Sequence, residues 1–236
     1  MSTVITSAEA KTISPINQRR FRVFVYTIVA IGIIGGGALV IKNVKYRFIA
    51  KRFSVVTPGI VYRSGQLSKW KLEPTLKENN IQAVVAMMGT VPPTKYHDFE
   101  IKRLEELGVP LIRHGLDADG VGLRGDGTGP VICYIDALCT IDGLEREGKP
   151  CLIHCSAGSS RTGVTIALYR LLLKKQSPES VYDEFVSLGG HAEREEKTIP
   201  YLNENIEHIA RQLVERGVLD EMPESIPQLP VNDGWF

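Results

Sequence analysis

The sequence predicts an α/β protein: a central, mostly parallel sheet flanked by helices, preceded by one transmembrane helix. Three observations carry this. From residue 60 onward, short apolar runs alternate with stretches of helical periodicity, the pattern of strand–helix–strand units whose sheet is covered on both faces. Near the N-terminus, VFVYTIVAIGIIGGGALVI (23–41) runs for 19 residues without a charge. Between an apolar run and a helical pattern lies HCSAGSSRTG (154–163), in which five small residues separate Cys155 from Arg161.

The uncharged run is long enough, at a rise of about 1.5 Å per residue, to cross a hydrocarbon core of about 30 Å. A buried core helix would be shorter and carry a polar face. A cleaved signal peptide would lie closer to Met1 and end in small residues, whereas Lys42, Asn43 and Lys45 follow here. Glycines 35–37 are tolerated in a membrane helix, and Gly32 with Gly36 forms a G-x-x-x-G, a weak pairing signal. Lys11, Arg19, Arg20 and Arg22 precede the span; Lys42, Lys45, Arg47, Lys51 and Arg52 follow it. The small excess on the C-terminal side places the downstream domain in the cytoplasm, on a single-pass membrane protein. Residues 1–22 are then a tail, 23–41 the transmembrane helix, and 42–54 a basic juxtamembrane linker attracted to anionic headgroups.

The downstream domain is expected over 55–218. Ile60 to Arg63 reads as a strand closed by Ser64-Gly65, and 69–79 as a helix that Pro74 breaks or restarts. IQAVVAMM (81–88) is a strand covered on both faces. KYHDFEIKRLEELG (95–108) is a helix with Phe99, Leu104 and Leu107 inward, and VPLIRHGL (109–116) the next strand. DADGVGLRGDGTGP (117–130) is too rich in glycine for a regular element. Helix 131–147, strand 151–154, helix 161–175, and a helix capped by Ser177-Pro178 and ended by Gly189-Gly190 follow. The last helix carries Leu202, Ile206, Ile209 and Leu213 at helical spacing, and the proline-rich tail 219–236 reads as extended or disordered.

Composition narrows the function classes. The chain of 236 residues has a formal net charge of +1, and no basic stripe interleaved with aromatics points to nucleic acid. Its four cysteines, Cys133, Cys139, Cys151 and Cys155, form no C-x-x-C pair and are not spaced with histidines as metal ligands, so no metal is expected.

The chemistry gathers at 154–163. A strand feeding a helix N-terminus leaves backbone N–H groups free, and with the helix dipole these make an anion site at the carboxyl end of a parallel strand. Ser156, Ala157, Gly158, Ser159 and Ser160 leave the backbone unobstructed around phosphate oxygens. Arg161 adds a bidentate guanidinium, and the positive field favours a Cys155 thiolate. A lone C-x5-R arises easily by chance; the preceding histidine, the glycine at the third loop position, Thr162-Gly163 and the strand–helix context make this one specific.

HCSAGSSRTG resembles the signature loop of the cysteine-dependent protein tyrosine phosphatase superfamily, H-C-x-x-G-x-x-R-[ST]-G, at every signature position. VTPGIVYRSGQLS and the element order also resemble compact bacterial-type members related to dual-specificity phosphatases, over roughly residues 55 to 215. The resemblance implies that Cys155 is the nucleophile, that Arg161 and the amides of Ser156 to Arg161 bind the phosphoryl group, that His154 orders the loop, and that Thr162 offers its hydroxyl to the sulfur. It implies no metal or organic cofactor. It also implies a general acid on the loop after strand 109–116, where Asp119 is the first candidate and Asp117 the second; Asp126 reads as a solvated carboxylate. Cys151 reads as a core residue rather than a thiol that resolves oxidised Cys155.

The expected function is therefore a membrane-anchored phosphatase acting on phosphotyrosine in a protein substrate, with phosphotyrosine-only and dual specificity for phosphoserine or phosphothreonine both left open. A phospholipid or phosphoinositide headgroup is the alternative substrate, which the anchor favours and the absence of lysines from the loop disfavours. A catalytically inactive phosphoprotein-binding module has no need of a thiolate. A sulfur-transfer enzyme is disfavoured by His154 and Thr162-Gly163.

Overall fold

The computed structural model describes residues 24–29, 48–89, 94–116, 129–189 and 192–231. The chain divides into two units, Met1–Lys45 and Tyr46–Phe236. In the first, residues 24–29 are helical and exposed. Among the described residues no helix is long and apolar enough to cross a membrane, and the remainder of the run 23–41 lies outside them.

The second unit holds a five-stranded sheet. In chain order the elements are β1 (Ser54–Thr57), β2 (Val61–Gly65), α1 (Leu72–Glu78), β3 (Ala83–Ala86), α2 (Lys95–Glu106), β4 (Leu111–Arg113), α3 (Val131–Arg146), β5 (Cys151–Cys155), α4 (Ser160–Leu168), a π-helical turn (Tyr169–Leu173), α5 (Pro178–Ser187) and α6 (Ala192–Glu215). The strand order is β1-β2-β5-β3-β4. β2, β5, β3 and β4 are parallel, and β1 is an antiparallel edge on β2. β1 was not anticipated as a strand, because its apolar pieces are short and interrupted by the Thr57–Ile60 turn.

Alternation along the parallel strands sorts the core. Val61, Ala83, Val85, Cys151 and Ile153 face the layer of α3, α4, α5 and α6. Tyr62, Val84 and Leu152 face α1 and α2, joined there by Leu72, Leu76 and Leu104. Burial on both faces is why these strands read as continuous apolar runs. Pro74 does not break α1. It sits in the first turn, where a missing N–H costs nothing. The predicted helix 161–175 is α4 continued by the π-helical turn.

Among the described residues beyond α6, up to 231, there is no regular element, as the prolines dictate, yet this part of the tail is docked. The Asn203 side chain of α6 donates to the Leu229 carbonyl and accepts from the Leu229 N–H, each at 2.9 Å, and Leu229 is buried. Leu219, Met222 and Ile226 pack on the same core.

Candidate active site

β5 is buried throughout and ends at Cys155, level with Gly65 of β2, while His154 lies level with Ala86 of β3. The chain passes through Ser156 to Ser159 and enters α4 at Ser160, so the sequence-predicted cradle lies at the carboxyl edge of the parallel strands. Ser156 is exposed, Ala157 and Arg161 are half-buried, and Gly158, Ser159, Ser160 and Thr162 are buried. The loop backbone lies directly on the end of β2. At Gly158, which has φ +75°, a Cβ would fall 2.6 Å from the Ser64 carbonyl carbon and 2.7 Å from its oxygen. At Gly65 a Cβ would fall 2.8 Å from the Ala157 oxygen. Gln66 N–H completes the seam by donating to the Cys155 carbonyl at 2.7 Å.

The Cys155 sulfur accepts the Gly158 N–H at 3.2 Å. The Thr162 hydroxyl is fully buried and favours the ionised form of the Cys155 thiol. Burial opposes ionisation of the thiol, but the Thr162 hydroxyl, the Arg161 charge and the N–H groups of Thr162 and Gly158 outweigh it and hold the pKa below its ordinary value. Arg161 Nη1 donates to the Leu116 carbonyl at 3.3 Å. Leu116 is the last described residue before the glycine-rich stretch, so the stem of that stretch reaches the cradle. Asp117 and Asp119, like Asp126, lie outside the described residues.

His154 is buried, and its Nε2 lies 3.2 Å from Glu100 Oε1. Burial pushes the imidazole below its ordinary pKa against the pull of Glu100, so the ring is neutral at pH 7.

Cys151 is a core residue, as expected. Burial, with Glu145 adding to it, pushes its thiol up to about 12. It lies four residues along a strand from Cys155, a separation of about 13 Å, where a disulfide needs Cα atoms within about 7 Å. All four cysteines are free. Among the described residues, no group of three or more His, Cys, Asp or Glu side chains is arranged to hold a metal.

Sequence reasoning missed the side chains that brace the cradle. Arg63 is 1% exposed; its Nη2 donates to the Gly158 carbonyl at 2.8 Å, and its Nη1 lies 3.6 Å from Glu184, which also pairs with Arg170 at 2.7 Å. Arg52 Nη1 donates to the Ala157 carbonyl at 2.9 Å. Glu100, 2% exposed, gathers His154, Gln66 at 3.3 Å and Arg113 at 3.4 Å. Faint signals existed. Arg63 sits within a predicted strand, and Glu100 lies four residues before Leu104, on the stripe that faces the core.

Residues 136–222 match the model of the tyrosine phosphatase family. No curated relative matches the chain. In fold it is similar to the core catalytic domain of the PP-IP phosphatase SIW14 from S. cerevisiae, at 22% identity and a TM-score of 0.52 over 73% of this chain and 97% of that one. P. aeruginosa TpbA is similar at 20% identity and a TM-score of 0.52, over 67% and 88%. PTPMT1 is similar at 17% identity and a TM-score of 0.51, over 70% and 98%. The Tyr46–Phe236 unit thus has the fold of the cysteine-dependent tyrosine phosphatases, and the family match runs from within α3 through the cradle to the docked tail.

Proposed function

We propose that the chain is a cysteine-dependent phosphatase that hydrolyses phosphotyrosine through a cysteinyl-phosphate intermediate, with dual specificity for phosphoserine or phosphothreonine as an open alternative. The observation that carries this reading is a thiol held below its ordinary pKa at the floor of a strand-to-helix loop, beside an arginine and a fully buried threonine hydroxyl. A cysteine kept merely for packing would behave like Cys151, whose thiol is pushed up. In the reaction, the Cys155 thiolate attacks phosphorus while Arg161 and the amides from Ser156 to Arg161 carry the charge of the equatorial oxygens. The P–O bond to the leaving group breaks, and Asp119, or Asp117, protonates the departing oxygen. Water then attacks the thiophosphate, that aspartate takes its proton, and the Thr162 hydroxyl stabilises the departing sulfur. Turnover of a small aryl phosphate tests this: the wild-type chain is expected to be active and Cys155→Ser inert. Equal inertness of the two would transfer support to a phosphoprotein-binding module.

A second reading keeps the chemistry and takes a phospholipid or phosphoinositide headgroup as substrate. Its support is the uncharged run 23–41, which we read as a single-pass anchor with the second unit on the cytoplasmic side, and the fold of PTPMT1, also solved in complex with PI(5)P. TpbA, of the same fold, has been solved with pTyr. The cradle of this chain carries serines at 156, 159 and 160 and no lysine to meet additional phosphates, which favours a singly phosphorylated group. A panel of phosphopeptides and phospholipid vesicles separates the two readings.

A further inference from the structure

We propose that Arg52, at the end of the basic segment before β1, is a positioning residue of the catalytic loop: it holds the Ala157–Gly158 peptide so that the Gly158 N–H points at the Cys155 sulfur. The inference rests on the phosphatase reading only for its kinetic consequence. Its geometric content stands without it.

A trans peptide is planar, with its C=O and N–H pointing in opposite directions. Arg52 Nη1 takes the carbonyl end of the 157–158 peptide at 2.9 Å, and the N–H end of the same peptide meets Cys155 Sγ at 3.2 Å. The next peptide is gripped in the same way by a different side chain, since Arg63 Nη2 takes the Gly158 carbonyl at 2.8 Å and so turns the Ser159 N–H away from Arg63. Successive peptides oriented this way form an anion-binding concavity, and the left-handed φ of +75° at Gly158 links them. Without the two arginines, the half-buried Ala157 carbonyl and the buried Gly158 carbonyl would lose these donors, and the peptides would be freer to turn toward other partners.

A backbone angle and two contacts show that Arg52 is built into place rather than resting on the surface. Its own φ is +49°, a conformation disfavoured for a residue with a Cβ. The preceding carbonyl, of Lys51, accepts the Gly65 N–H at 2.7 Å, which fixes the segment to the end of β2. Its guanidinium lies against Gly189, just past α5, where a Cβ would fall 2.6 Å from Arg52 Nε and 2.8 Å from Nη2. The segment read from the sequence as a plain linker therefore reaches the cradle through its last basic residue. The arginine charges coupled to the thiol are those of Arg161 and Arg63, so the contribution of Arg52 is orientation.

The test uses the full chain in detergent micelles. The rate at which iodoacetamide alkylates Cys155 is followed against pH by mass spectrometry of the Cys155 peptide. Arg52→Ala is expected to move the midpoint upward by about one pH unit, lowering the thiolate fraction about tenfold at any pH below both midpoints. kcat/KM for an aryl phosphate should fall by a similar factor, less than the roughly hundredfold of losing an oxyanion donor outright. Arg52→Lys, which keeps one donor, should recover most of both. Should Arg52→Ala not fold, Gly189→Ala displaces the guanidinium from the other side and should shift the midpoint in the same direction. An alkylation midpoint equal to that of the wild type in folded Arg52→Ala or Gly189→Ala, whatever their melting temperatures, overturns the proposal. If the wild-type chain turned over no aryl phosphate, the phosphatase reading would fail, while the alkylation midpoints would still decide the role of Arg52.

Discussion

Replacing Gly158 by alanine perturbs the most constrained backbone position in the cradle. The new Cβ would sit 2.6 Å and 2.7 Å from the Ser64 carbonyl carbon and oxygen, which belong to β2 and cannot rotate aside. The left-handed φ adds about 1–2 kcal/mol for a residue with a Cβ. Forcing the loop off β2 adds about 1–3 kcal/mol of overpacking. A loss of about 2–5 kcal/mol lowers the melting temperature of a domain this size by about 5–20 °C, and the Gly158 N–H leaves the sulfur. Gly143 is the control, since a Cβ there meets nothing within 4 Å inside α3. Alanine at 143 should be neutral or stabilise by about 0.5–1 kcal/mol. Thermal unfolding by circular dichroism reads both. If Gly158→Ala melted within about 2 °C of the wild type, or if the two alanines were equally damaging, the reasoning would be refuted.

Four other outcomes are expected. Because the Cys155 thiol is depressed when folded, the native state sheds its proton at lower pH than the unfolded chain. Its contribution is fully present above the ordinary thiol pKa and is lost as pH falls through the folded value, so the stability of wild type relative to Cys155→Ser should rise with pH across that window in denaturant titrations. Glu100→Ala removes the buried acceptor shared by Arg113, His154 and Gln66 and should cost about 1–3 kcal/mol by urea unfolding. Gly163→Ala pushes a methyl to within 2.7 Å of the Phe185 ring edge; it should lose about 1–3 kcal/mol and regain part of it in combination with Phe185→Leu. Mild peroxide should produce no Cys151–Cys155 disulfide detectable by peptide mass mapping, because the strand holds the two thiols too far apart.

The parallel strands and most helices were legible because both signals are local. An apolar run of strand length, or an apolar residue every third or fourth position, reports burial whatever the partner is. β1 escaped because four residues at a sheet edge, only one of them buried, leave little pattern to read. Pro74 misled because a proline tolerated in the first turn looks the same in sequence as one that breaks a helix. The cradle was legible as a motif because its residues are contiguous. Its braces were not, for Arg52, Arg63, Glu100 and Glu184 are scattered along the chain and meet only when the sheet and its helices close around β5.

The linear chain was enough to specify the kind of chemistry. A thiol, an arginine and an unobstructed backbone between a strand and a helix are short-range properties, and they follow from residue types and spacing alone. The folded domain set the electrostatic state of Cys151, Cys155 and His154. Cys151 and Cys155 share one strand, yet burial drives one thiol up to about 12 while hydrogen bonds and the Arg161 charge draw the other down. That divergence depends on which distant groups surround each sulfur, and no spacing within the strand encodes it.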